Sequence, residues 1–178
     1  MRVNGRLIEI GLGHFRVSPK PRGGDWLEVD AQALKREGFT FVVSLLTEPE
    51  NEELGLTEEE LVCKRNEIEF YSFPIIDRST PRNREDFENL VERLLAKIEK
   101  GERGHFHCRA GLGRAPLLAC AIMQKAGTNS DEAWRMLAES RGQPVPDTEA
   151  QRAWVKKNSH SSFTDLDDAF SKLLENGL

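Results

Sequence analysis

The sequence has few cysteines and no long apolar run. Its three cysteines, at positions 63, 108 and 120, form neither an even disulfide framework nor a metal-ligand spacing, which argues against a disulfide scaffold and a zinc site. Residues 1–10 contain three charges and lack the apolar centre of a signal peptide, and no later stretch is apolar enough to cross a membrane. We therefore expect a cytoplasmic protein with reduced thiols and no membrane partner.

Positive charge is scarce relative to negative charge. Lys and Arg number 25, whereas Asp and Glu number 30, which gives a formal net charge of −5 at pH 7. This balance argues against a nucleic-acid partner held by bulk electrostatics, so any anion has to be bound in a local pocket. With 38% hydrophobic and 31% charged residues among 178, the chain has the composition of one globular domain.

Short apolar segments alternate with amphipathic ones along most of the chain. Strand-like segments lie at residues 6–17 (a glycine-bent pair), 39–46, 68–73 and 104–107, and helical periodicity lies at residues 29–37, 57–66, 83–100, 113–125, 130–140 and 147–158. This alternation predicts an α/β fold: a central twisted, mostly parallel sheet of four to five strands with helices on both faces. We assign residues 1–158 to this domain and residues 159–178 to an acidic, helical C-terminal tail.

Local signals place several element boundaries. Residues 39–46 are almost continuously apolar, as in a strand covered on both faces, and Pro49 ends the segment. Gly38 is expected to stop the preceding helix at its C′ position. Two further patterns are an apolar helix face of Val29, Ala33 and Leu34 and a capping box of Thr57 and Glu60.

One segment combines residue types suited to binding an anion. It reads His107-Cys108-Arg109-Ala110-Gly111-Leu112-Gly113-Arg114. A strand leads in and a helix follows, so the backbone N–H groups of residues 109–114 can converge on one phosphate. Cys108 beneath them is expected to be a thiolate nucleophile, and the planar fork of Arg114 can hold two phosphoryl oxygens. We predict that Cys108 and Arg114 are catalytic.

Asp77 is the expected general acid. It lies between Pro74 and Pro81 in a loop that also follows a predicted strand. An alkoxide or phenoxide leaving group needs a proton, which a carboxylic acid can supply. The alternative is a solvated turn residue, because aspartate is common in proline-flanked loops.

Three segments together resemble the dual-specificity branch of the protein tyrosine phosphatase superfamily, of the type of the cyclin-dependent kinase-associated phosphatase and its bacterial look-alikes. They are the Cys108 to Arg114 loop, the Pro-Ile-Ile-Asp segment about thirty residues upstream, and the segment from Arg141 to Gln151. The resemblance covers roughly residues 35–156. It implies the cysteine-phosphatase fold without a metal or organic cofactor.

The resemblance also implies a reaction and its supporting residues. Cys108 would displace the phosphoryl group to form a phosphocysteine, which water would hydrolyse while Asp77 changes from acid to base. Gln151 would help to place that water, and His107 would support the thiolate. The implied substrates are phosphotyrosine and phosphoserine or phosphothreonine in proteins, with phosphoinositides and other small phosphomonoesters left open. We expect a monomer.

Ala115 departs from the resemblance, because relatives carry serine or threonine directly after the arginine. In those relatives the hydroxyl would stabilise the departing thiolate. Its absence here leaves open a second function, a pseudophosphatase that binds phosphorylated partners without turnover. A rhodanese-like or arsenate-reducing thiol protein is a second alternative, which the separate Asp77 loop argues against.

The remaining cysteines and arginines have two interpretations each. Cys63 and Cys120 lie in predicted helices, where cysteine is usually a small buried hydrophobe. Arg109, Arg78 and Arg22 are either ordinary surface arginines or a basic rim that favours substrates with additional negative charge.

Overall fold

The computed structural model describes residues 5–158, which form one sheet with helices packed against it. Within them the strands are β1 (Leu7–Ile10), β2 (Gly13–Pro19), β3 (Phe41–Ser44), β4 (Glu69–Ser72) and β5 (Arg103–Cys108). The helices are α1 (Leu27–Arg36), α2 (Glu48–Leu54), α3 (Glu59–Arg65), α4 (Arg84–Glu99), α5 (Arg114–Lys125), α6 (Ser130–Arg141) and α7 (Glu149–Asn158), with a 3₁₀ turn, Gly24–Trp26, before α1. The predicted α/β class is confirmed.

The sheet has the strand order β1-β2-β5-β3-β4. Only the β1–β2 pair is antiparallel, and the other three pairs are parallel. In the centre, Phe106 of β5 pairs with Val17 on one side and Val43 on the other. Because parallel strands end at the same edge of a sheet, Cys108 lies in the middle of the carboxyl edge.

Apolar side chains cover both faces of the sheet. Along β3, Phe41 and Val43 belong to the large core that includes the buried faces of α4 and α5, whereas Val42 belongs to a second cluster with residues of α1 and α3. Successive residues of a strand point to opposite faces, so this alternation shows the strand to lie between two layers. The prediction that residues 39–46 contain a strand covered on both faces is confirmed.

The helix α4 matches its predicted pattern. All six apolar positions of its 3.6-residue period are buried: Phe87, Leu90, Val91, Leu94, Leu95 and Ile98. Asn83 caps its N-terminus, where Oδ1 accepts a hydrogen bond of 3.3 Å from the backbone N–H of Asp86. Gly38 likewise takes a left-handed φ of 82° after α1, as predicted for a C′ residue.

A helix that the sequence analysis does not predict follows β3. In α2, Pro49 occupies the first turn, where a missing backbone N–H leaves no hydrogen bond unmade. Thr47 and Glu50 form a capping box, in which the Thr47 backbone N–H donates to Glu50 Oε2 at 3.0 Å. The predicted capping box of Thr57 and Glu60 is wrong, since α3 begins without a side-chain cap.

The buried face of α1 also differs from the prediction. Leu27, Ala31 and Leu34 are buried, whereas Val29 is 44% exposed. The helix begins two residues earlier than predicted, so its apolar face is set by Leu27 rather than Val29. The predicted tail helix at residues 159–178 lies outside the described residues. None of the helices within residues 5–158 is long and apolar enough to cross a membrane.

A buried histidine, His105, lies within β5, three residues before Cys108. His105 Nε2 is 2.9 Å from Ser18 Oγ, and Arg16 Nε donates to His105 Nδ1 at 3.5 Å. Ser18 Oγ in turn donates to the carbonyl of Pro19 at 2.7 Å. These contacts fit a neutral imidazole that carries its proton on Nε2. Burial, with the charge of Arg16 and the neighbouring His107, lowers the pKa of His105 well below its usual value.

We predict that His105 makes the fold less stable in mild acid. The unfolded chain binds a proton at this residue below about pH 6.5, while the folded chain does not, so stability falls as pH drops through this range. One such group contributes at most about 1.4 kcal/mol per pH unit. Chemical denaturation between pH 7.5 and pH 5 should show a shallower pH dependence for His105→Gln than for the wild type. Equal slopes would contradict the prediction.

Candidate active site

The loop between β5 and α5 folds tightly around the end of Cys108. Gly111 has a left-handed φ of 70°, and a Cβ on it would lie 2.4 Å from the carbonyl of Ser18. Only glycine fits at this position. Cys108 is buried at a cavity of about 60 Å³. The cavity is lined by Asp77, Arg78, Cys108, Ala110, Leu112, Gly113, Arg114 and Asp147.

Arg114, the first residue of α5, places a buried guanidinium beside this cavity. Nη1 donates to the carbonyls of Ile75 at 2.8 Å and Leu45 at 3.3 Å. Nη1 and Nη2 bind the two carboxylate oxygens of Glu50 at 2.7 and 2.9 Å. Nη2 also binds Asp77 Oδ1 at 2.8 Å. The guanidinium is therefore fixed by carbonyls and carboxylates from three separate segments.

Glu50 is a site residue that the sequence analysis misses. Burial opposes its ionisation, but hydrogen bonds from Arg114 and Thr47 outweigh burial and lower the pKa of Glu50 to about 2. It is therefore a carboxylate at any physiological pH. The Thr47-x-x-Glu50 spacing is a capping-box signal that could have located α2, although nothing in it indicates the pairing with Arg114.

Asp77 lies at the cavity, as the sequence predicts, on the loop that follows β4. The turn that carries it is closed by the backbone N–H of Ser79, which donates to the carbonyl of Ile76 at 3.0 Å. Arg78 within this turn has a left-handed φ of 58°, which is unfavourable for a residue with a Cβ. Its carboxylate forms an ion pair with Arg114, and its side chain is 57% exposed.

Gln151 is buried between the two loops that form the cavity. Its Nε2 donates to the carbonyl of Ser79 at 3.0 Å, and its Oε1 accepts from the backbone N–H of Thr148 at 3.2 Å. A Cβ on Gly113 would approach the same amide to 2.9 Å, so the loop of residues 108–114, which is predicted to bind phosphate and is called the phosphate loop below, packs directly on Gln151. Gln151 thereby connects the Asp77 loop to the Cys108 loop.

A comparison with protein families matches residues 25–159, more than half of the chain, to the dual specificity phosphatase catalytic domain. The chain belongs to the dual specificity phosphatase family. A curated relative of this phosphatase domain is protein 067L of Invertebrate iridescent virus 3, which is named as a tyrosine phosphatase. It is 30% identical over 123 residues, or 62% of this chain, and the match spans 50% of the viral protein.

Two solved structures show the same fold as this dual specificity phosphatase domain. Kinase associated phosphatase, with its catalytic site cysteine replaced by serine, has a TM-score of 0.76 and 17% identity, covering 87% of this chain and 94% of that one. PTPMT1 in complex with PI(5)P has a TM-score of 0.68 and 17% identity, covering 86% and 94%. The predicted cysteine-phosphatase fold is confirmed.

The other arginines predicted near the phosphatase site differ in position. Arg109 forms an ion pair with Glu53 of α2, and its Nε lies 3.5 Å from Glu50, so its guanidinium is held by carboxylates outside the cavity lining. Arg22 is bound to Asp30 at 2.6 Å. Arg78 does line the cavity, with its guanidinium 3.7 Å from Asp147.

His107 and the two other cysteines are not among the residues that line the cavity. His107 Nε2 is 3.0 Å from Glu59 Oε1, and both side chains are buried. Cys63 and Cys120 are buried free thiols. Burial, together with the charge of Glu59, raises the pKa of Cys63 to about 12, and burial likewise raises the pKa of Cys120. Both thus behave as small hydrophobes.

We predict that Glu50→Gln destabilises the domain by about 2 kcal/mol, because it leaves the buried guanidinium of Arg114 short of one negative partner. The loss is below that for a fully buried pair, since the Glu50 side chain is 12% exposed. The matched control is Glu53→Gln in the same helix, where the side chain is 61% exposed and a surface pair contributes little. Urea denaturation at neutral pH measures both variants, and equal stability of the two would contradict the prediction.

Proposed function

We propose that this domain hydrolyses phosphomonoesters through a phosphocysteine intermediate. The observation that carries the proposal is the convergence of Cys108, Arg114 and Asp77 on one small cavity at the carboxyl edge of the sheet. A nucleophile, a cation fork and a carboxylic acid are the three groups that displacement at phosphorus needs. Rhodanese-like and arsenate-reducing chemistry would give Asp77 no role.

The first step transfers the phosphoryl group to the protein. The Cys108 sulfur attacks phosphorus, an S–P bond forms, and the ester P–O bond breaks. Asp77 gives its proton to the leaving oxygen, which requires its carboxyl group to leave Arg114 Nη2. A phosphoryl oxygen then takes the place of that carboxylate on Nη2, while Glu50 keeps its own two contacts.

The second step returns the site to its starting state. A water oxygen attacks phosphorus, the S–P bond breaks, and Asp77 accepts the proton of the water, so that inorganic phosphate leaves. We assign to Gln151 the holding of the Asp77 loop against the phosphate loop, because its amide binds Ser79. Water placement by Gln151, as the resemblance implies, is a further proposal for the same amide.

We infer that the substrates are singly phosphorylated side chains of proteins, phosphotyrosine foremost. Among the described residues that line the cavity, Arg78 is the one cation besides Arg114. Its guanidinium lies 3.7 Å from Asp147, and Arg109 is engaged by Glu53. This arrangement offers little to a second phosphate, which disfavours polyphosphorylated lipids, although PTPMT1 is seen with PI(5)P. We further propose a cytoplasmic monomer, with residues 1–158 as the functional unit.

The proposal predicts a pre-steady-state burst with p-nitrophenyl phosphate. Stopped-flow absorbance should show one p-nitrophenolate released per protein, and Cys108→Ser should abolish it. Asp77→Asn should slow the burst by about 100-fold, because the leaving oxygen loses its proton donor. The matched control is Asp147→Asn, which removes another carboxylate of the cavity lining and should leave the burst rate near that of wild type. Turnover surviving in Cys108→Ser would rule out the mechanism.

A pseudophosphatase is the second candidate function, and Ala115 is the observation that favours it. This buried residue follows Arg114 and provides no hydroxyl to stabilise the departing thiolate. A hydrogen bond to a charged group contributes about 1.5 to 3 kcal/mol, or roughly ten- to a hundred-fold in rate. Phosphate binding without a burst would select this candidate.

We predict that Ala115→Ser raises steady-state turnover of p-nitrophenyl phosphate by about ten-fold through faster release from phosphocysteine. The burst amplitude should not change. Ala119→Ser is the matched control, because it adds a hydroxyl to an equally buried alanine one turn further along α5. Unchanged turnover in Ala115→Ser, with dephosphorylation still rate-limiting, would contradict the role given to this position.

A further inference from the structure

Arg141, the last residue of α6, contacts the backbone of the phosphate loop. It is 8% exposed and is not among the residues that line the cavity. Its Nε donates to the carbonyl of Gly111 at 2.9 Å, and its Nη2 donates to the carbonyl of Ala110 at 3.2 Å. One guanidinium thus binds two consecutive carbonyls of the loop.

In a loop that binds an anion through its backbone N–H groups, the backbone carbonyls are the groups that would repel the anion. A peptide group that turns its N–H toward a phosphate turns its C=O away from it, and a buried carbonyl without a donor is costly. If the two carbonyls rotated inward, their negative ends would face the anion. The planar fork of Arg141 satisfies both at once, whereas an ammonium group has no fixed pair of donors.

The position of Arg141 is fixed by its own helix. Trp134 and Leu137 bury α6 in the large core, and Gly142 ends the helix with a left-handed φ of 68°. Ser140 Oγ donates to the carbonyl of Arg6 at 2.8 Å, which ties the same end of the helix to the segment before β1. The guanidinium is therefore held by elements outside the phosphate loop.

Arg141 is also close enough to Cys108 for the two groups to interact electrostatically. Burial lowers the pKa of Arg141, and the interaction with Cys108 acts in the opposite direction. The positive charge of Arg141 therefore adds to the field that favours an anion in the cavity.

We propose that Arg141 is a positioning residue, which holds the carbonyls of Ala110 and Gly111 outward so that the loop N–H groups face the phosphate. The proposal rests on the function proposed above, since it assigns that anion to the same loop. Arg141 acts through the loop and touches neither the substrate nor the reacting atoms. Its loss should weaken every anion bound there, whatever group the anion is attached to.

The test compares Arg141→Met and Arg141→Lys with the wild-type full chain. Orthovanadate binding, measured by calorimetry, should weaken by roughly ten-fold or more in Arg141→Met, because two charged hydrogen bonds to the loop carbonyls are lost. Arg141→Lys keeps the charge but not the fork, and its affinity should fall between the two. The matched control is Arg135→Met in the same helix, where the exposed arginine pairs with Glu132 and Glu139 and should leave binding unchanged.

A second readout separates loop positioning from a general structural role. Alkylation of Cys108 by anionic iodoacetate should slow in Arg141→Met more than alkylation by neutral iodoacetamide, because only the anion uses the loop N–H groups. Thermal melting of Arg141→Lys shows whether the fold is kept, and a folded Arg141→Lys with weakened vanadate binding supports the proposal.

Two results would overturn the proposal. One is wild-type affinity for vanadate in both Arg141 variants, and the other is an equal slowing of the two alkylation reactions. These measurements need no turnover, so a domain that binds vanadate normally but shows no burst would contradict the proposed function alone. A wild-type chain that neither binds vanadate nor prefers iodoacetate would contradict both.

Discussion

The buried guanidinium of Arg114 is the interaction on which the site depends. A buried cation is stable only when it is surrounded by partners, and here these come from the segment after β3, from α2 and from the Asp77 loop. The need to satisfy one charge therefore draws the loops at the carboxyl edge of the sheet to a single point. A phosphoryl dianion would bind this same guanidinium. One cation would therefore both hold the loops together and bind the substrate.

The central strands of the sheet and the loop after β5 support the site around that cation. β5 lies between two parallel strands and ends in Cys108, and the close approach of Gly111 to Ser18 presses the phosphate loop against the end of β2. Within β5, the side chain of His105 contacts Ser18 of the neighbouring strand, while His107 lies 3.0 Å from Glu59. These buried polar groups lie in the sheet, whereas the proposed reacting groups lie at its carboxyl edge, with Cys108 at the end of β5, Arg114 at the start of α5 and Asp77 on the loop after β4.

The likeness to kinase associated phosphatase at 17% identity shows how few residues the fold requires. The positions that build the sheet and α4 need only be apolar at the right period, and many side chains meet that need. The cavity tolerates fewer residue types, because no other residue has the backbone freedom of Gly111 or the planar guanidinium fork of Arg114. Ala115 is buried directly after Arg114, at the position where the resemblance implied a serine or threonine.

The sequence by itself determined the alternation of strands and helices, the helix α4, and the loop from Cys108 to Arg114, because these are written in local periodicity and spacing. Asp77 was also within reach, since it follows a strand that ends at the same edge. Tertiary structure decided what Arg114 binds, because Glu50 lies 64 residues away and the two meet only when the segment after β3 folds over α5. It likewise decided that Arg141 contacts the loop and that Arg109 does not line the cavity, since side-chain partners depend on packing between elements that no single stretch of sequence records.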